Sequence, residues 1–320
     1  MTMSFRCSKT LHPIYNRRLY TSLHSSDARA LDEWIAPPKQ LVLSDSFTIE
    51  RISDLYLTLP TRDGTKTVYN PPELSAPLPY GSHLTFFHPR NSESKLRADG
   101  TDADFCPPPP LTRRMWAGGR MTWNSRNPLR IGESAVSTST VQSVEKKGFD
   151  KGTPMAFVKQ RIEITASGQR EPSVVEERSH VYIADTAVGS RVPRDVKGIP
   201  SKTDFSFTFT PSPITLFRFS ALTFNGHHIH LDKDYAQSKE GYPERLVHGP
   251  LTALMLLETT MLHKPNAKLA QFDYRARNPV IVNQRMTING VWNGDHRAFL
   301  WAVNDEGVVG MTGEVELGID

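Results

Sequence analysis

A helix that is apolar on nearly every side persists in water only where other parts of the chain enclose it. Such a helix opens at Pro250 and carries Leu251, Leu254, Met255, Leu257 and Glu258, with proline suited to its first position. Strand-like runs surround it: Ser206 to Thr210 before, then Ala267 to Ala276, Gln284 to Trp292, Ala298 to Val303 and Val308 to Leu317 after. One buried helix wrapped by a curved antiparallel sheet satisfies this order. The first half has strands of its own at Gly118 to Trp123, Ser134 to Glu145, Met155 to Ala166 and Pro172 to Ala184. They are rich in Val, Ser and Thr and are separated by turns at Lys146-Lys147-Gly148 and Ser167-Gly168-Gln169, the pattern of an antiparallel meander. Gly118-Gly119 reads as a further turn. Both halves end in three or four long strands, a repeat of topology with no identity visible by eye.

Between these strands and the N-terminus, residues 41 to 115 hold Pro60, Pro71, Pro72, Pro77, Pro79, Pro89 and the run Pro107 to Pro110. That density breaks long helices and central strands alike, so extended segments wrapped over a core are expected. Tyr80, Phe86, Phe87, Phe105 and Trp116 would bury well there. Residues 185 to 203, with Gly189, Pro193, Gly198 and Pro200, read as a linker. The domain reading is 1–26 as a leader, 27–190 as an N-terminal domain and 204–320 as a C-terminal one.

The 320 residues carry a net charge of +4, and Arg6, Lys9, Arg17 and Arg18 precede the first acid, Asp27. The remaining body is nearly neutral, which argues against nucleic acid as its partner. The acid-free leader mixes Arg, Ser, Thr and Leu as mitochondrial transit peptides do, and Arg18-Leu19-Tyr20 before Thr21-Ser22 resembles a matrix-protease cleavage site. The expected location is the mitochondrial matrix. A short capped helix from Ser26 to Trp34 follows, stopped by Pro37-Pro38. No run reaches the ~18 apolar residues of a membrane span. Cys7 and Cys106, the only cysteines, form no disulfide framework or metal-site pattern.

Chemistry concentrates between Asn225 and Asp232. Asn225, His227, His230 and Asp232 stand within eight residues, after an apolar strand read at Ile214 to Ala221 and before a short helix around Asp234 to Lys239. Histidine exchanges protons near neutral pH, and a neighbouring amide or carboxylate fixes its tautomer. Asp232 orients His230 or ends the loop. A metal site from His227, His228 and His230 is disfavoured, because adjacent and i+2 side chains diverge in extended chain. Nearby, His248-Gly249 precedes the buried helix, whose N-terminus offers unpaired N–H groups to an oxyanion or carbonyl. Arg113, Arg114 and Arg218 are read either as phosphate contacts or as members of a solvated strand face.

The segment Phe219-Ser220-Ala221-Leu222-Thr223-Phe224-Asn225-Gly226-His227-His228-Ile229-His230-Leu231-Asp232, with Tyr235-Ala236 and Val247-His248-Gly249-Pro250, resembles the signature of MaoC-like (R)-specific hydratases. Within that group it is most similar to the fungal mitochondrial 3-hydroxyacyl-thioester dehydratases of type 2. Arg113-Arg114-Met115-Trp116-Ala117-Gly118-Gly119, with Leu129 and Gly132-Glu133, resembles their N-terminal half. The resemblance implies an α+β double hot-dog fold, two curved antiparallel sheets each wrapped around a helix, with a catalytically degenerate N-terminal half. It implies reversible syn dehydration of a (3R)-3-hydroxyacyl thioester to the trans-2-enoyl thioester, with no cofactor. It puts His230 on the catalytic histidine and Gly249 on the residue whose N–H receives the thioester oxygen, with His248 in support.

Where the hydratase motif has aspartate this chain has Asn225, and where it has asparagine this chain has His227. Asn225 cannot exchange a proton at neutral pH. Either His230 handles both transfers with water held by Asn225, or His227 shares the work. The implied substrate is an acyl-carrier-protein thioester of mitochondrial fatty acid synthesis. Two other readings stand beside it: a CoA-specific hydratase of a short branched or dicarboxylic enoyl-CoA, and a non-catalytic acyl-thioester-binding subunit, which Asn225 keeps open. A monomer and a homodimer of double hot dogs both satisfy the fold.

Overall fold

The computed structural model describes residues 25–184 and 192–318. Residues 1–24 of the expected leader, its cleavage site included, and residues 185–191 of the expected linker lie outside the described residues; the last two residues of that leader belong to a helix.

Each half contributes five strands. The first half contains helix α1 (Ser25–Ile35), strand β1 (Gln40–Ser46), helix α2 (Ile49–Tyr56), and strands β2 (Arg113–Trp123), β3 (Ser134–Lys147), β4 (Met155–Ala166) and β5 (Val174–Ile183). The second contains β6 (Phe205–Phe209), helices α3 (Pro213–Leu222), α4 (His228–Leu231), α5 (Lys233–Ser238) and α6 (Gly249–His263), then β7 (Leu269–Ala276), β8 (Met286–Trp292), β9 (Arg297–Asn304) and β10 (Val309–Leu317). The strands form one antiparallel sheet in the order β1-β3-β4-β5-β2-β7-β10-β9-β8-β6. Read outward from its middle, the order within each half is the same, so the repeat of topology is a real pseudo-symmetry. The halves meet where β2 pairs with β7, from Gly118↔Arg275 to Thr122↔Gln271. The two sheets read from the sequence are therefore continuous with each other.

The strands form for legible reasons. In β4 buried and half-buried residues alternate without a break, the period-two signature of a pleated strand with one face on the core. The apolar helix is α6, and every residue from Leu251 to Thr260 is buried. It packs against β6, β8, β9 and β10. Its one buried acid, Glu258, accepts hydrogen bonds from Arg62 Nε (2.6 Å) and Thr61 Oγ1 (3.0 Å).

Among the described residues the longest helix, α6, fills the C-terminal half; the N-terminal half has the shorter α1 and α2, and a 3-10 turn at Ser82–Thr85 lies against α6. Gly81 abuts Leu254 and Leu257 so closely that a Cβ there would sit 2.8 Å from each. The prolines between Pro60 and Pro110 leave that stretch without the donors and dihedrals a longer helix needs.

Two local readings are corrected. Ile214 to Ala221 belongs to helix α3: Ser212 and Thr215 form a reciprocal capping box with Pro213 in the first turn, which starts a helix despite the alternating Phe-Arg-Phe that suggested a strand. Gly118-Gly119 lies inside β2 at a register shift between Trp116 and Gly118, with the backbone of Tyr274 and Glu177 pressed against the two glycines. Arg218 sits on α3, not on a strand, and donates to the Leu57 carbonyl at 3.0 Å.

Candidate active site

The polar loop is built by the end of α3. Thr223 Oγ1 donates to the Phe219 carbonyl (2.7 Å), Phe224 takes a left-handed φ of 48°, and the Asn225 N–H donates back to the Ser220 carbonyl (2.8 Å). The chain thus reverses at once. The Asn225 side chain then accepts the His227 N–H at 3.0 Å, which starts the single turn α4. The loop is therefore helical where extended chain was expected. The N-terminal half pins it from outside: the His228 N–H donates to the Asp99 carbonyl (2.9 Å), and Gly100, at φ 81°, lies against Gly226 where any Cβ would meet the Gly226 oxygen at 2.2 Å.

Three imidazoles assemble here. His230 stacks on His248 with centroids 3.7 Å apart and planes 23° apart, and His227 stands edge-on to His230 at 5.3 Å. His230 Nδ1 lies 2.7 Å from the Leu246 carbonyl. A carbonyl only accepts, so Nδ1 carries the proton and Nε2 keeps its lone pair. Burial lowers the His230 pKa to about 4, with the charge of Arg114 adding to the effect against the Leu246 hydrogen bond. His227 is also held well below the ordinary value, by burial first and then by His230, Arg114 and Arg97. It stays neutral although its Nε2 is 3.9 Å from Asp99 Oδ2. His248 is buried, its Nε2 is 2.9 Å from Ser220 Oγ, and its Nδ1 has no hydrogen-bond partner. Among the described residues no three His, Cys, Asp or Glu side chains converge as ligands for a metal ion.

His248 is the N-cap residue of α6, so Gly249 is the first residue of that helix. A Cβ on Gly249 would lie 2.8 Å from Trp116 Cε3. Trp116 is fixed in turn: its Nε1 donates to Tyr274 Oη (3.1 Å), and Tyr274 Oη donates to Glu176 Oε1 (3.2 Å). Burial opposes the Glu176 charge, yet Arg178 and His83 hold its carboxyl down at about 2.

Of the candidates read from the sequence, Asn225, His227, His230, His248 and Gly249 come together. Asp232 is exposed; its carboxylate accepts the Tyr235 N–H at 3.0 Å and caps α5, so it ends the loop. The N-terminal contribution from Asp99, Arg114 and Trp116 was not read as part of this site; no local spacing links residues more than a hundred positions apart. A cavity of about 680 Å³, lined by Tyr56, Tyr80, His83, Trp123, Met261 and Leu262, lies toward the other end of α6. By helical rise, Glu258 on its wall is about 13 Å from Gly249.

The fold is that of a MaoC-like dehydratase from Phytophthora capsici, which superposes with a TM-score of 0.65 at 16% identity over 92% of this chain and 99% of that one. The fold class is thus a double hot dog. Residues 81–282 match the hydroxyacyl-thioester dehydratase type 2 family, and the chain belongs to it, which makes it a MaoC-like hydro-lyase. A mesaconyl-C(4)-CoA hydratase of Chloroflexus aurantiacus is 36% identical over 249 residues, 77% of this chain and 86% of the relative. The mitochondrial hydroxyacyl-thioester dehydratase type 2 of Schizosaccharomyces pombe is 29% identical over 235 residues, 65% and 76% of the respective chains.

Proposed function

We propose that the chain interconverts a (3R)-3-hydroxyacyl thioester and the trans-2-enoyl thioester with His230 as the proton-exchanging residue. The observation that carries this reading is the His230 tautomer: an Nε2 lone pair held between His248, beside the Gly249 N–H, and His227. In dehydration the thioester oxygen accepts the Gly249 N–H, and Nε2 takes the proton from C2 as negative charge spreads onto that oxygen. The C3–O bond then breaks, and the same Nε2–H passes its proton to the departing hydroxyl, releasing water and restoring neutral His230. One base serving both transfers requires both groups on one face, which is syn elimination. Asn225, committed through Oδ1 to the His227 N–H, keeps its NH₂ to hold the water. The N-terminal half supplies walls rather than a second proton-transfer centre, and one chain makes a complete unit, as a monomer or as half of a homodimer.

The acid-free leader and the fungal relatives named mitochondrial support work in the mitochondrial matrix on acyl-carrier-protein thioesters of fatty acid synthesis. The Chloroflexus relative supports a second reading, a CoA thioester of a short branched or dicarboxylic acid. Enoyl-thioester absorbance, followed with (3R)- and (3S)-3-hydroxyacyl substrates on both carriers, tests the reaction. Turnover of the (3R) form alone, abolished in His230→Ala while thioester binding persists, is the expected result. Absence of turnover on every thioester would leave a binding subunit in its place.

A further inference from the structure

Three neighbouring strands converge to fix the Trp116 ring. β5, β2 and β7 lie side by side in the sheet and contribute Glu176, Trp116 and Tyr274 in turn. In the pairing of β2 with β5, Trp116 lies opposite His180 and Gly118 opposite Ser179, so Ala117 is left without a partner. This is a β-bulge, the device by which a strand re-aims a side chain. It falls immediately beside Trp116, which lies against the start of α6. A Cβ on Gly249 would meet Trp116 Cε3, Cδ2 and Cβ at 2.8, 3.2 and 3.3 Å.

The hydrogen bonds behind that ring run in one direction. An indole N–H only donates, so Trp116 Nε1 gives its proton to Tyr274 Oη at 3.1 Å. The Tyr274 hydroxyl gives its own to Glu176 Oε1 at 3.2 Å. Glu176 is 1% exposed, and Arg178 grips both its oxygens, with Nε at 2.7 Å and Nη2 at 2.8 Å, a charge-assisted fork. Tyr274 also meets the Trp116 ring edge-on, with centroids 5.4 Å apart and planes at 89°. Gly118 and Gly119 make room for this relay. A Cβ on Gly119 would lie 2.6 Å from Tyr274 Oη and 2.3 Å from the Glu177 carbonyl oxygen, and one on Gly118 would lie 2.5 Å from the Tyr274 carbonyl oxygen. A side chain at position 119 would displace the hydroxyl that joins Trp116 to Glu176.

We infer that Tyr274 and Glu176 are positioning residues: through Trp116 they set the first turn of α6, and with it the Gly249 N–H, against the thioester oxygen as that oxygen takes on negative charge. This rests on the reaction proposed above and gives the N-terminal half a part in it. An N–H stabilises an oxyanion only where its direction is held in advance, and a glycine has no side chain of its own to lodge it. Glu176 and Trp116 belong to the first half of the chain and Tyr274 and Gly249 to the second, so the relay crosses the seam between β2 and β7.

The test is a double-mutant cycle read on kcat and KM separately. Hydration is followed with crotonyl-CoA, trans-2-decenoyl-CoA and the same two acyl groups on acyl carrier protein, and the thioester that wild type turns over fastest is kept. Tyr274→Phe deletes only the hydroxyl, and Trp116→Phe puts a smaller ring without an N–H under Gly249. Each is expected to lower kcat about tenfold with KM within about threefold, because a misaimed N–H fails in the transition state more than in the bound thioester. The double variant should be no slower than the worse single one, since both break the same relay. Glu176→Gln, which loosens the anchor, should lower kcat alone but not in the Tyr274→Phe background. A Tyr274→Phe enzyme with kcat within about twofold of wild type, whatever its melting temperature, overturns the inference and leaves these residues a structural role. Losses that multiply in the double variant, or that fall on KM alone, overturn it as well and leave the reaction standing. No turnover of any thioester by wild type overturns the underlying reaction, and the relay's part in it with it.

Discussion

The neutral His230 has a thermodynamic consequence that can be measured without substrate. In an unfolded chain this imidazole takes up a proton near pH 6.5, whereas in the folded chain it refuses one until about pH 4. Its folded pKa is depressed, so its contribution to stability is complete above 6.5 and is lost as the pH falls from 6.5 toward 4. At pH 5 the unfolded form is almost fully protonated and the native form about one-tenth so. The linkage relation then gives a loss of ~2 kcal/mol between pH 7.5 and pH 5 from this one residue. Replacing it with glutamine removes the titration while keeping an N–H for the Leu246 carbonyl. In urea unfolding of wild type and His230→Gln at both pH values, His88 and His180, also held neutral by burial, remain in both proteins, while the variant relieves the part of the His227 and His248 depressions that comes from His230, which adds to the same difference. The wild type should lose ~2 kcal/mol more than the variant on acidification. Losses that agree within about 0.5 kcal/mol would refute the claim that burial keeps His230 neutral.

Two further substitutions probe the walls of the site. Gly249→Ala puts a methyl 2.8 Å from the Trp116 ring, which its bond to Tyr274 prevents from yielding, so the start of α6 must move relative to His230. A fall in kcat of about 10- to 100-fold, with thermal stability lowered by ~1–3 kcal/mol, is expected from kinetics and melting curves. Asp232→Ala removes only an exposed cap of α5; it should cost ~1 kcal/mol or less and leave kcat/KM within about threefold, and a larger kinetic loss would restore it as an orienting group for His230.

Much of the scaffold was legible because its strands obey local rules. β3, β4 and β5 announce themselves by β-branched runs between glycine turns, and α6 by apolar residues on every side. What escaped was local structure whose signal competes with a louder one. In α3 the alternation Phe217-Arg218-Phe219 imitates a strand, yet Leu216, Phe219 and Ser220 are buried at helical spacing while Phe217 is 65% exposed. The Ser212-Pro213 start and Thr215 were the better guide. β1 and α2 were hidden in the proline-dense first third, where short elements fit between breakers. Within the site, the histidine loop and the glycine before α6 stand out because they are contiguous. Asp99, Arg114 and Trp116 could not be assigned to it, since only tertiary packing, at the β2–β7 junction and at the Asp99–His228 contact, brings one half against the other.

That junction also bears on how many reaction centres the molecule carries. In an assembly of two identical hot dogs every substitution occurs twice, so any loop kept or lost is kept or lost in both. Here the two halves are separate stretches of one chain and are free to differ. One half can abandon its long helix and present an arginine and a tryptophan, while the other keeps the helix, the histidine loop and Gly249. Under the reaction proposed above this gives one site per pair of hot dogs instead of two, with two unlike walls that no self-complementary dimer could supply.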